Sequence, residues 1–330
     1  MPPTGTPSSR LNVHMLYFTE SDVRDLLPMK DAIGLMQTAF ERLAADEAIN
    51  QPRRRLILPT GSVLHYMAGS DGKYFGAKVY STHAKHGAHF VFLLYRAENA
   101  EPLAVLEANY LGQIRTGAVS GLATRYLAPA KAETLAIIGS GFQARSQLAA
   151  ILAVRPIRHV KVWSRDAGNR AAFAAESSSK FSASIVPVER AEWAVREAAI
   201  VVTATNAKDP VVESNWIAPG THINAMGSNQ ARRRELPADL IARAALIAVD
   251  SIEQARMESG DLMLALDEEG WKNPKIVELK DVVTGAVKGR RTPEEITIFK
   301  SNGLAVEDVI CAGYIYEKGV KEGRGSRSYS

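Results

Sequence analysis

The chain has 330 residues, of which 46% are hydrophobic and only 7% aromatic. This length suggests about two domains, and the excess of small aliphatic residues is typical of α/β packing. The net charge is +4, with 36 acidic residues among 40 basic ones. The arginine runs at 53–55 and 232–234 lack interleaved aromatic residues, so we expect small anionic ligands and no nucleic acid.

Cys311 is the only cysteine, which excludes an intrachain disulfide and favours a reducing, cytoplasmic location. No apolar run approaches the roughly 18 residues of a membrane span, so no membrane partner is expected. Residues 1–10 have no apolar segment behind them, which predicts an unstructured lead and not a signal peptide. We also expect residues 323–330 to be frayed.

The first third of the chain predicts short helices followed by a sheet. Ser21 is a candidate cap for a helical turn at 22–27, and an amphipathic helix is predicted at about 29–45. Asn109 is a candidate cap for a helix ending at Leu127. Because the intervening strands have short connections, they predict an antiparallel or mixed sheet. These strands are predicted at 56–58, 63–67, 74–80, 90–95 and 103–106.

A glycine turn at 139–144 begins the second pattern. The apolar run 135–138 predicts a buried strand, and Gly139 and Gly141 follow it, with Ala144 in the third small position. This order of strand, glycine turn and helix indicates a Rossmann fold, whose helix start binds a diphosphate. A glycine turn in an α/β protein without a nucleotide is the alternative. Further strands are predicted at 159–163, 184–188, 200–204, 223–226 and 246–249.

The residues that follow the second of these strands bear on the choice of coenzyme. Ser164 and Arg165 lie where such a strand meets the adenosine ribose, and an arginine beside a hydroxyl suits a 2′-phosphate. We therefore favour NADP(H) over NAD(H). Asp166 leaves NAD(H) open, because it could point towards the ribose instead.

Three segments together resemble the ornithine cyclodeaminase/mu-crystallin family: 115–120, 139–144 and 299–308. The resemblance implies a homodimer with its active site between two domains. One is a discontinuous α+β domain at 1–113 and 304–330, which would bind substrate and dimerise through its sheet. The other is a Rossmann NAD(P)-binding domain at 114–303. The family includes ornithine cyclodeaminases, alanine dehydrogenases, ketimine and pyrroline-2-carboxylate reductases, and a crystallin that binds thyroid hormone.

The resemblance also implies residue roles. Arg54, Lys78 and Arg115 would bind the substrate carboxylate, and Met67 would line the pocket. Cationic side chains suit a carboxylate in any case, and a buried lysine could also exchange a proton. Arg53 or Arg55 remains an alternative to Arg54, because strand alternation places them on the opposite face. The implied coenzyme contacts are Thr116, Gly139, Ser140, Gly141, Phe142, Gln143, Ser164, Arg165, Ala204, Thr205, Met226, Gly227, Ser228, Asn302 and Gly303.

Two positions depart from the cyclodeaminase pattern. Asn229 stands where cyclodeaminases carry an acid/base aspartate, and an amide cannot exchange a proton near neutral pH. His65 replaces a glutamate near the side-chain amine of ornithine. Reduction of a preformed ketimine makes smaller demands, so we expect an NADPH-dependent ketimine reductase in which Lys78 and Asn229 act at the reacting centre. The alternatives are an NAD-dependent amino-acid dehydrogenase or ornithine cyclodeaminase, and a non-catalytic crystallin-type binding protein.

Three other features point to structure more than to chemistry. His83, His86 and His89 do not share a strand face, so no metal site is expected. Cys311 has apolar neighbours and is expected in the core. Asp308 is expected to stabilise the start of the last helix through the helix dipole.

Overall fold

The computed structural model describes residues 15–327, and the predicted unstructured lead at 1–10 lies outside them. The first elements, in chain order, are β1 (Leu16–Phe18), α1 (Glu20–Leu26), α2 (Met29–Ala44), β2 (Ile49–Asn50), β3 (Arg54–Ile57), β4 (Val63–Ser70), β5 (Tyr74–His83), β6 (Gly87–Arg96), β7 (Pro102–Glu107) and α3 (Asn109–Leu127). Next are β8 (Thr134–Ile138), α4 (Phe142–Val154), β9 (His159–Trp163), α5 (Ala167–Ser178), β10 (Ser184–Pro187), α6 (Ala191–Val195), β11 (Ile200–Thr203) and β12 (His222–Ala225). The last are α7 (Ala238–Arg243), β13 (Leu246–Val249), α8 (Ile252–Glu258), α9 (Gly260–Met263), α10 (Glu268–Trp271), β14 (Ile276–Glu278), α11 (Leu279–Val283), β15 (Thr297–Lys300), α12 (Ala305–Glu322) and β16 (Ser326–Arg327).

The first sheet has the order β16-β1-β7-β6-β5-β4-β2, and β3 also pairs with β4. Neighbouring strands are antiparallel except for β1 and β7. The predicted mixed sheet is therefore confirmed. The register places Met67 opposite Lys78, and Lys78 opposite Phe92. Because side chains alternate along a strand, these three lie on one face of the sheet.

The second sheet is parallel throughout, with the order β10-β9-β8-β11-β12-β15-β13-β14. The first five strands follow the doubly wound pattern, in which the order of strand addition reverses between β8 and β11. The strand β15, which was not predicted, lies between β12 and β13. The glycine turn follows β8, at the point of reversal where such folds bind ligands. The predicted fold class, a Rossmann domain plus a discontinuous α+β domain, is confirmed.

Two helices link the sheets. α3 runs without a break through the predicted boundary at 113/114 and packs closely on α4, where a Cβ at Gly117 would collide with the backbone of Ser146. α12 returns to pack against β4 and β5 of the first sheet. The exact domain boundaries stay a prediction. Among residues 15–327, no helix has the length and apolar character needed to cross a bilayer.

Two predicted caps and the predicted tail differ from the structure. α1 is capped by Thr19 and not by Ser21. The start of α3 is capped by the Glu20 carboxylate, which accepts hydrogen bonds from the N–H groups of Asn109 (2.7 Å) and Tyr110 (2.8 Å). The prediction that the chain is frayed from residue 323 onwards is wrong for residues 323–327, because β16 pairs with β1. Residues 328–330 lie outside the described part.

Candidate active site

Two neighbouring cavities lie at the carboxyl edge of the second sheet, and one of them extends to the first sheet. The glycine-turn cavity, about 500 Å³, opens at the carboxyl ends of β8, β9 and β11. The cationic cavity, about 690 Å³, is lined by residues from both sheets, including Arg53, Lys78 and Arg115. The two cavities share four lining residues: Phe142, Gln143, Met226 and Gly227. The two cavities are therefore adjacent and share part of their wall.

The glycine-turn cavity has the features of a diphosphate site. Gly139 has φ +110°, which only glycine adopts readily, and a Cβ there would collide with the Ala204 carbonyl. Gly141 is the N-cap of α4, and no side chain caps this helix. The first N–H groups of α4 are thus available to an anion, helped by the helix dipole. This geometry fits the diphosphate of a nicotinamide dinucleotide.

Eleven of the fifteen predicted coenzyme contacts line the glycine-turn cavity: Gly139, Ser140, Gly141, Phe142, Gln143, Ser164, Arg165, Ala204, Thr205, Met226 and Gly227. Thr116, Asn302 and Gly303 line the cationic cavity instead. Ser228 lines neither one. Its side chain is buried and its hydroxyl donates to the carbonyl of Arg233 at 3.2 Å, so its prediction as a coenzyme contact is wrong for the side chain.

Arg165 and Asp166 follow β9, and their side chains have different hydrogen-bond partners. The Asp166 carboxylate accepts the N–H of Asn169 at 2.6 Å and thereby caps α5. Arg165 is exposed on the cavity wall and donates to the Asn206 side chain at 3.2 Å. Ser164, Arg165 and Asp166 all line the cavity at this strand end, but one oxygen of the Asp166 carboxylate is engaged as the cap of α5.

The cationic cavity corrects one prediction. Arg54 pairs with Tyr66 across β3 and β4, and both side chains are exposed on the face of the sheet away from the cavity. Arg53 lies on the other face, lines the cavity and is 4% exposed. The prediction of Arg54 as a carboxylate ligand is therefore wrong. Strand alternation does separate Arg54 from its two neighbours, but the cavity lies on their side.

Each of the three cavity cations has a buried carboxylate partner. Lys78 Nζ contacts Asp308 at 2.6 Å, and Arg115 contacts both Glu307 (2.8 Å) and Asp308 (3.2 Å). These ion pairs orient the cations and offset their charge in a desolvated site. Asp308 does lie in the first turn of α12, as predicted, but its contacts with Lys78 and Arg115 were missed.

The partner of Arg53 comes from the other side of the cleft. Glu258, at the end of α8, accepts hydrogen bonds from Arg53 (2.5 Å) and Arg55 (2.6 Å). Arg53 also donates to the Asn302 carbonyl at 2.9 Å. No motif in the sequence marks Glu258, and only its position in the fold connects it with β3.

Burial changes the acidity of Lys78. Desolvation, reinforced by the charge of Arg115 and opposed by Asp308, lowers the pKa of Lys78 to about 8. An ammonium with such a pKa can bind an anion at neutral pH and can also release a proton. Lys78 thus has the properties needed both to hold a carboxylate and to act as an acid.

A row of stacked rings forms another wall of the cationic cavity. His65 lies 4.3 Å from Tyr80, and Tyr80 lies 4.7 Å from Phe90, measured between ring centroids. Burial and the nearby Arg55 and Arg53 lower the pKa of His65 to about 4, so its imidazole is neutral at physiological pH. This wall is largely apolar and carries no negative charge, so it can pack against the ring of a cyclic ligand.

Met67 and Asn229 occupy different positions relative to the cavity. Met67 is 1% exposed and its sulfur lies 3.7 Å from Arg53 Nη2, so it supports Arg53 and does not line the cavity. Asn229 does line it. The loop that carries Asn229 is held by Lys300, whose ammonium donates to the Ser228 carbonyl at 2.6 Å.

No group of three or more His, Cys, Asp or Glu side chains within residues 15–327 is arranged to hold a metal ion. The rings of His83 and His86 are 4.6 Å apart, but no third ligand completes a set with them among these residues. Cys311 is buried, as expected for a core residue.

The chain matches the ornithine cyclodeaminase/mu-crystallin family over residues 13–323. It belongs to this family. A Δ(1)-pyrroline-2-carboxylate reductase from Bacillus cereus is 38% identical over 323 residues, covering 95% of this chain and 99% of the relative. The predicted family is thereby confirmed.

Two solved structures share the whole fold. The Δ(1)-pyrroline-2-carboxylate reductase of Thermococcus litoralis, in complex with NADH and L-proline, has a TM-score of 0.90 and 35% identity, covering 95% of this chain and all of that one. An archaeal alanine dehydrogenase dimer with bound NAD also has a TM-score of 0.90, with 31% identity, covering 96% and 99% of the two chains. These relatives confirm the predicted enzyme class, an NAD(P)H-dependent oxidoreductase acting on C=N bonds.

Proposed function

We propose that this enzyme reduces a carboxylate-bearing cyclic ketimine, of the Δ1-pyrroline-2-carboxylate or Δ1-piperideine-2-carboxylate type, to the cyclic amino acid. One observation carries the proposal: Arg53, Lys78 and Arg115 are buried around a single cavity that adjoins the glycine-turn cavity. A carboxylate bound by these cations would lie in the cationic cavity, next to the coenzyme. The reductases with 35–38% identity support the same substrate class.

The arrangement supports a short reaction sequence. Arg53 and Arg115 hold the carboxylate, while the ring of the substrate lies along the aromatic wall. A nicotinamide coenzyme bound in the glycine-turn cavity supplies a hydride to the imine carbon. The electron pair of the C=N bond moves to nitrogen. If that nitrogen is not already protonated, Lys78 Nζ gives it a proton, and Asp308 stabilises Lys78 in its charged form.

Asn229 favours reduction over deamination. Cyclodeaminases carry an acid/base aspartate at this position, and an amide cannot take that role. Asn229 lines the cavity and can hydrogen-bond the substrate without exchanging a proton. The aromatic wall also argues against a diamine substrate, because it has no negative charge to pair with a side-chain ammonium.

The test is a panel assay. Oxidation of NADPH and NADH is followed with five- and six-membered cyclic imino acids, acyclic imino acids generated from ammonia, and the corresponding 2-oxo acids. We expect the cyclic imino acids to give the highest kcat/KM. Release of ammonia from amino acids plus NAD(P)⁺, at a comparable kcat/KM, would instead identify a dehydrogenase or cyclodeaminase. Tight coenzyme binding without turnover of any imino acid would identify a binding protein.

We further propose a preference for NADP(H), and Arg165→Asp tests it. Arg165 and Ser164 face the cavity where a 2′-phosphate would bind, while Asp166 caps α5. Removing the guanidinium is expected to raise the Kd for NADPH about 10- to 100-fold and to leave the Kd for NADH nearly unchanged. Titration of coenzyme fluorescence measures both constants. An unchanged ratio of the two would rule out Arg165 as the selecting residue.

We also propose a homodimer built on the outer face of the first sheet. This face, opposite the cationic cavity, exposes several large apolar side chains: Leu56 (54%), Leu64 (38%), Tyr66 (48%) and Val91 (40%). The cross-strand pairs Leu56–Leu64 and Tyr66–Val79–Val91 place them side by side. A continuous apolar patch on a sheet is typical of an interface. Sedimentation of wild type and Tyr66→Asp tests the assembly.

A further inference from the structure

The Asn302 amide is buried in the cationic cavity without a partner. The residue is 5% exposed, and neither Oδ1 nor Nδ2 makes a hydrogen bond within residues 15–327. A buried polar group that lacks its hydrogen bonds destabilises a protein, because its desolvation is not compensated. Most buried amides are accordingly satisfied. An amide that lines a ligand cavity and is unsatisfied within the protein is therefore available to the ligand.

The backbone around this amide is tightly held. The buried Asp250 carboxylate accepts hydrogen bonds from the N–H groups of Asn302 (2.6 Å) and Gly303 (2.5 Å) and from the Ser301 hydroxyl (3.0 Å). Arg53 donates to the Asn302 carbonyl. The main chain of the loop is thus satisfied on both sides, and only the side-chain amide is left to bind something else.

The neighbours of Asn302 show which part of the ligand it meets. Arg53 bonds its carbonyl, and a Cβ at Gly303 would lie 2.6 Å from Arg115 Nη1. Asn302 is therefore placed between two of the three cations that would hold the carboxylate. It does not line the glycine-turn cavity. This position favours contact with the carboxylate end of the substrate over contact with the coenzyme.

We propose that Asn302 recognises the edge of the substrate where the nitrogen and the carboxylate lie side by side. A side-chain amide presents a donor NH2 group and an acceptor oxygen on the same carbon. In a protonated α-imino acid, the N–H group is a donor and the neighbouring carboxylate oxygen is an acceptor. Nδ2 donates to the carboxylate oxygen, and Oδ1 accepts from the iminium N–H. This inference rests on the proposed substrate class and adds to it a residue that distinguishes nitrogen from oxygen.

The complementarity fails for an oxygen analogue. A 2-oxo acid places a carbonyl oxygen where the imine has N–H, so Oδ1 would face a second acceptor. A site built to hydrogen-bond an N–H group rejects an analogue that lacks it, because the buried acceptor is then left unpaired. Asn302 is thus a specificity-determining residue that selects imines over ketones.

The experiment compares two unreactive ring acids that differ in one atom. Pyrrole-2-carboxylate carries an N–H group beside its carboxylate, and furan-2-carboxylate carries an oxygen there. Calorimetry gives the Kd of each for the full-length enzyme with NADP⁺ bound, and no turnover is needed. Wild type is expected to bind the pyrrole acid about 10- to 100-fold more tightly. Asn302→Leu is expected to abolish this preference, mainly by weakening the pyrrole acid.

Two further variants complete the set. Asn302→Asp keeps the shape but places a negative charge beside the carboxylate, so it is expected to weaken both acids. Asn99→Leu, at an exposed turn outside both cavities, is the matched control and is expected to keep the wild-type ratio. The Tm of Asn302→Leu is expected to equal or exceed that of wild type, because an unsatisfied amide is removed. A purely structural role for Asn302 would lower it.

The outcomes separate this inference from the proposed function. The inference is overturned if Asn302→Leu has the same ratio of Kd values for the two acids as wild type. It is also overturned if wild type does not prefer the pyrrole acid. A raised Kd for NADPH in Asn302→Leu, with an unchanged ratio, would assign the amide to the coenzyme. If no imino acid is reduced in the panel assay but the ratio depends on Asn302, the proposed function fails and the recognition of N–H beside a carboxylate stands.

Discussion

Replacing Lys78 with methionine is expected to lower kcat/KM for the cyclic imino acid about 1000-fold. The change removes a cation that holds the carboxylate and a proton that can reach the nitrogen. It also leaves Asp308 with only the 3.2 Å contact to Arg115. Loss of one member of a buried, hydrogen-bonded charge pair is typically unfavourable by about 3–5 kcal/mol. Steady-state kinetics with saturating coenzyme measures the effect.

A double variant separates loss of chemistry from loss of fold. In Lys78→Met/Asp308→Asn the unpaired carboxylate is gone, so the Tm is expected to recover while kcat/KM stays low. Coenzyme affinity in the glycine-turn cavity should match wild type in both variants. A folded Lys78→Met enzyme with kcat/KM within tenfold of wild type would exclude Lys78 from the reaction.

The pH profile gives the same residue a second test. Burial lowers the pKa of Lys78 to about 8, so the ammonium is present below this pH and is lost above it. If the charged form is required, kcat/KM is expected to fall about tenfold per pH unit above pH 8, because kcat/KM reports the free enzyme. Lys78→Arg keeps a charge that does not titrate in this range. Its profile, measured with the same substrate, is expected to lack this descending limb.

The place and the local geometry of the glycine-turn cavity could be predicted from the sequence. A glycine turn between a buried strand and a helix determines its own local geometry, so Gly139, Gly141 and the start of α4 lie where the motif indicates. Asp166 shows the limit of this reasoning. The sequence allowed it to point towards the ribose or away, and the structure shows it capping α5 while it still lines the cavity.

The substrate site was predicted less well, because its contacts join residues far apart in the chain. Glu258 follows Arg53 by 205 positions, and only the folded chain brings their side chains together. A position in the first turn of a helix was enough to explain Asp308 from the sequence. Its contact with Lys78, 230 positions away, was therefore not predicted. Such pairs leave no periodicity or spacing in the sequence. They depend on how the two sheets are joined.

The arginine run at 53–55 gives the sharpest comparison of sequence with structure. Arg53→Met is expected to raise KM for the imino acid by about two orders of magnitude, with a smaller change in kcat, because it removes a contact made equally in the ground state and the transition state. Arg54→Met is expected to leave both parameters within twofold of wild type. The two variants remove the same side chain from adjacent positions, so each controls for the other.

The different effects expected at Arg53 and Arg54 follow from the register of β3 on β4. Arg54 shares the outer face of the sheet with Tyr66, whereas Arg53 is buried against Met67, Glu258 and the Asn302 carbonyl. Arg53→Lys keeps the charge but cannot make these separate contacts, so an intermediate KM is expected. If Arg54→Met raised KM as much as Arg53→Met, the substrate would have to approach from the outer face. The cationic cavity would then not be the active site.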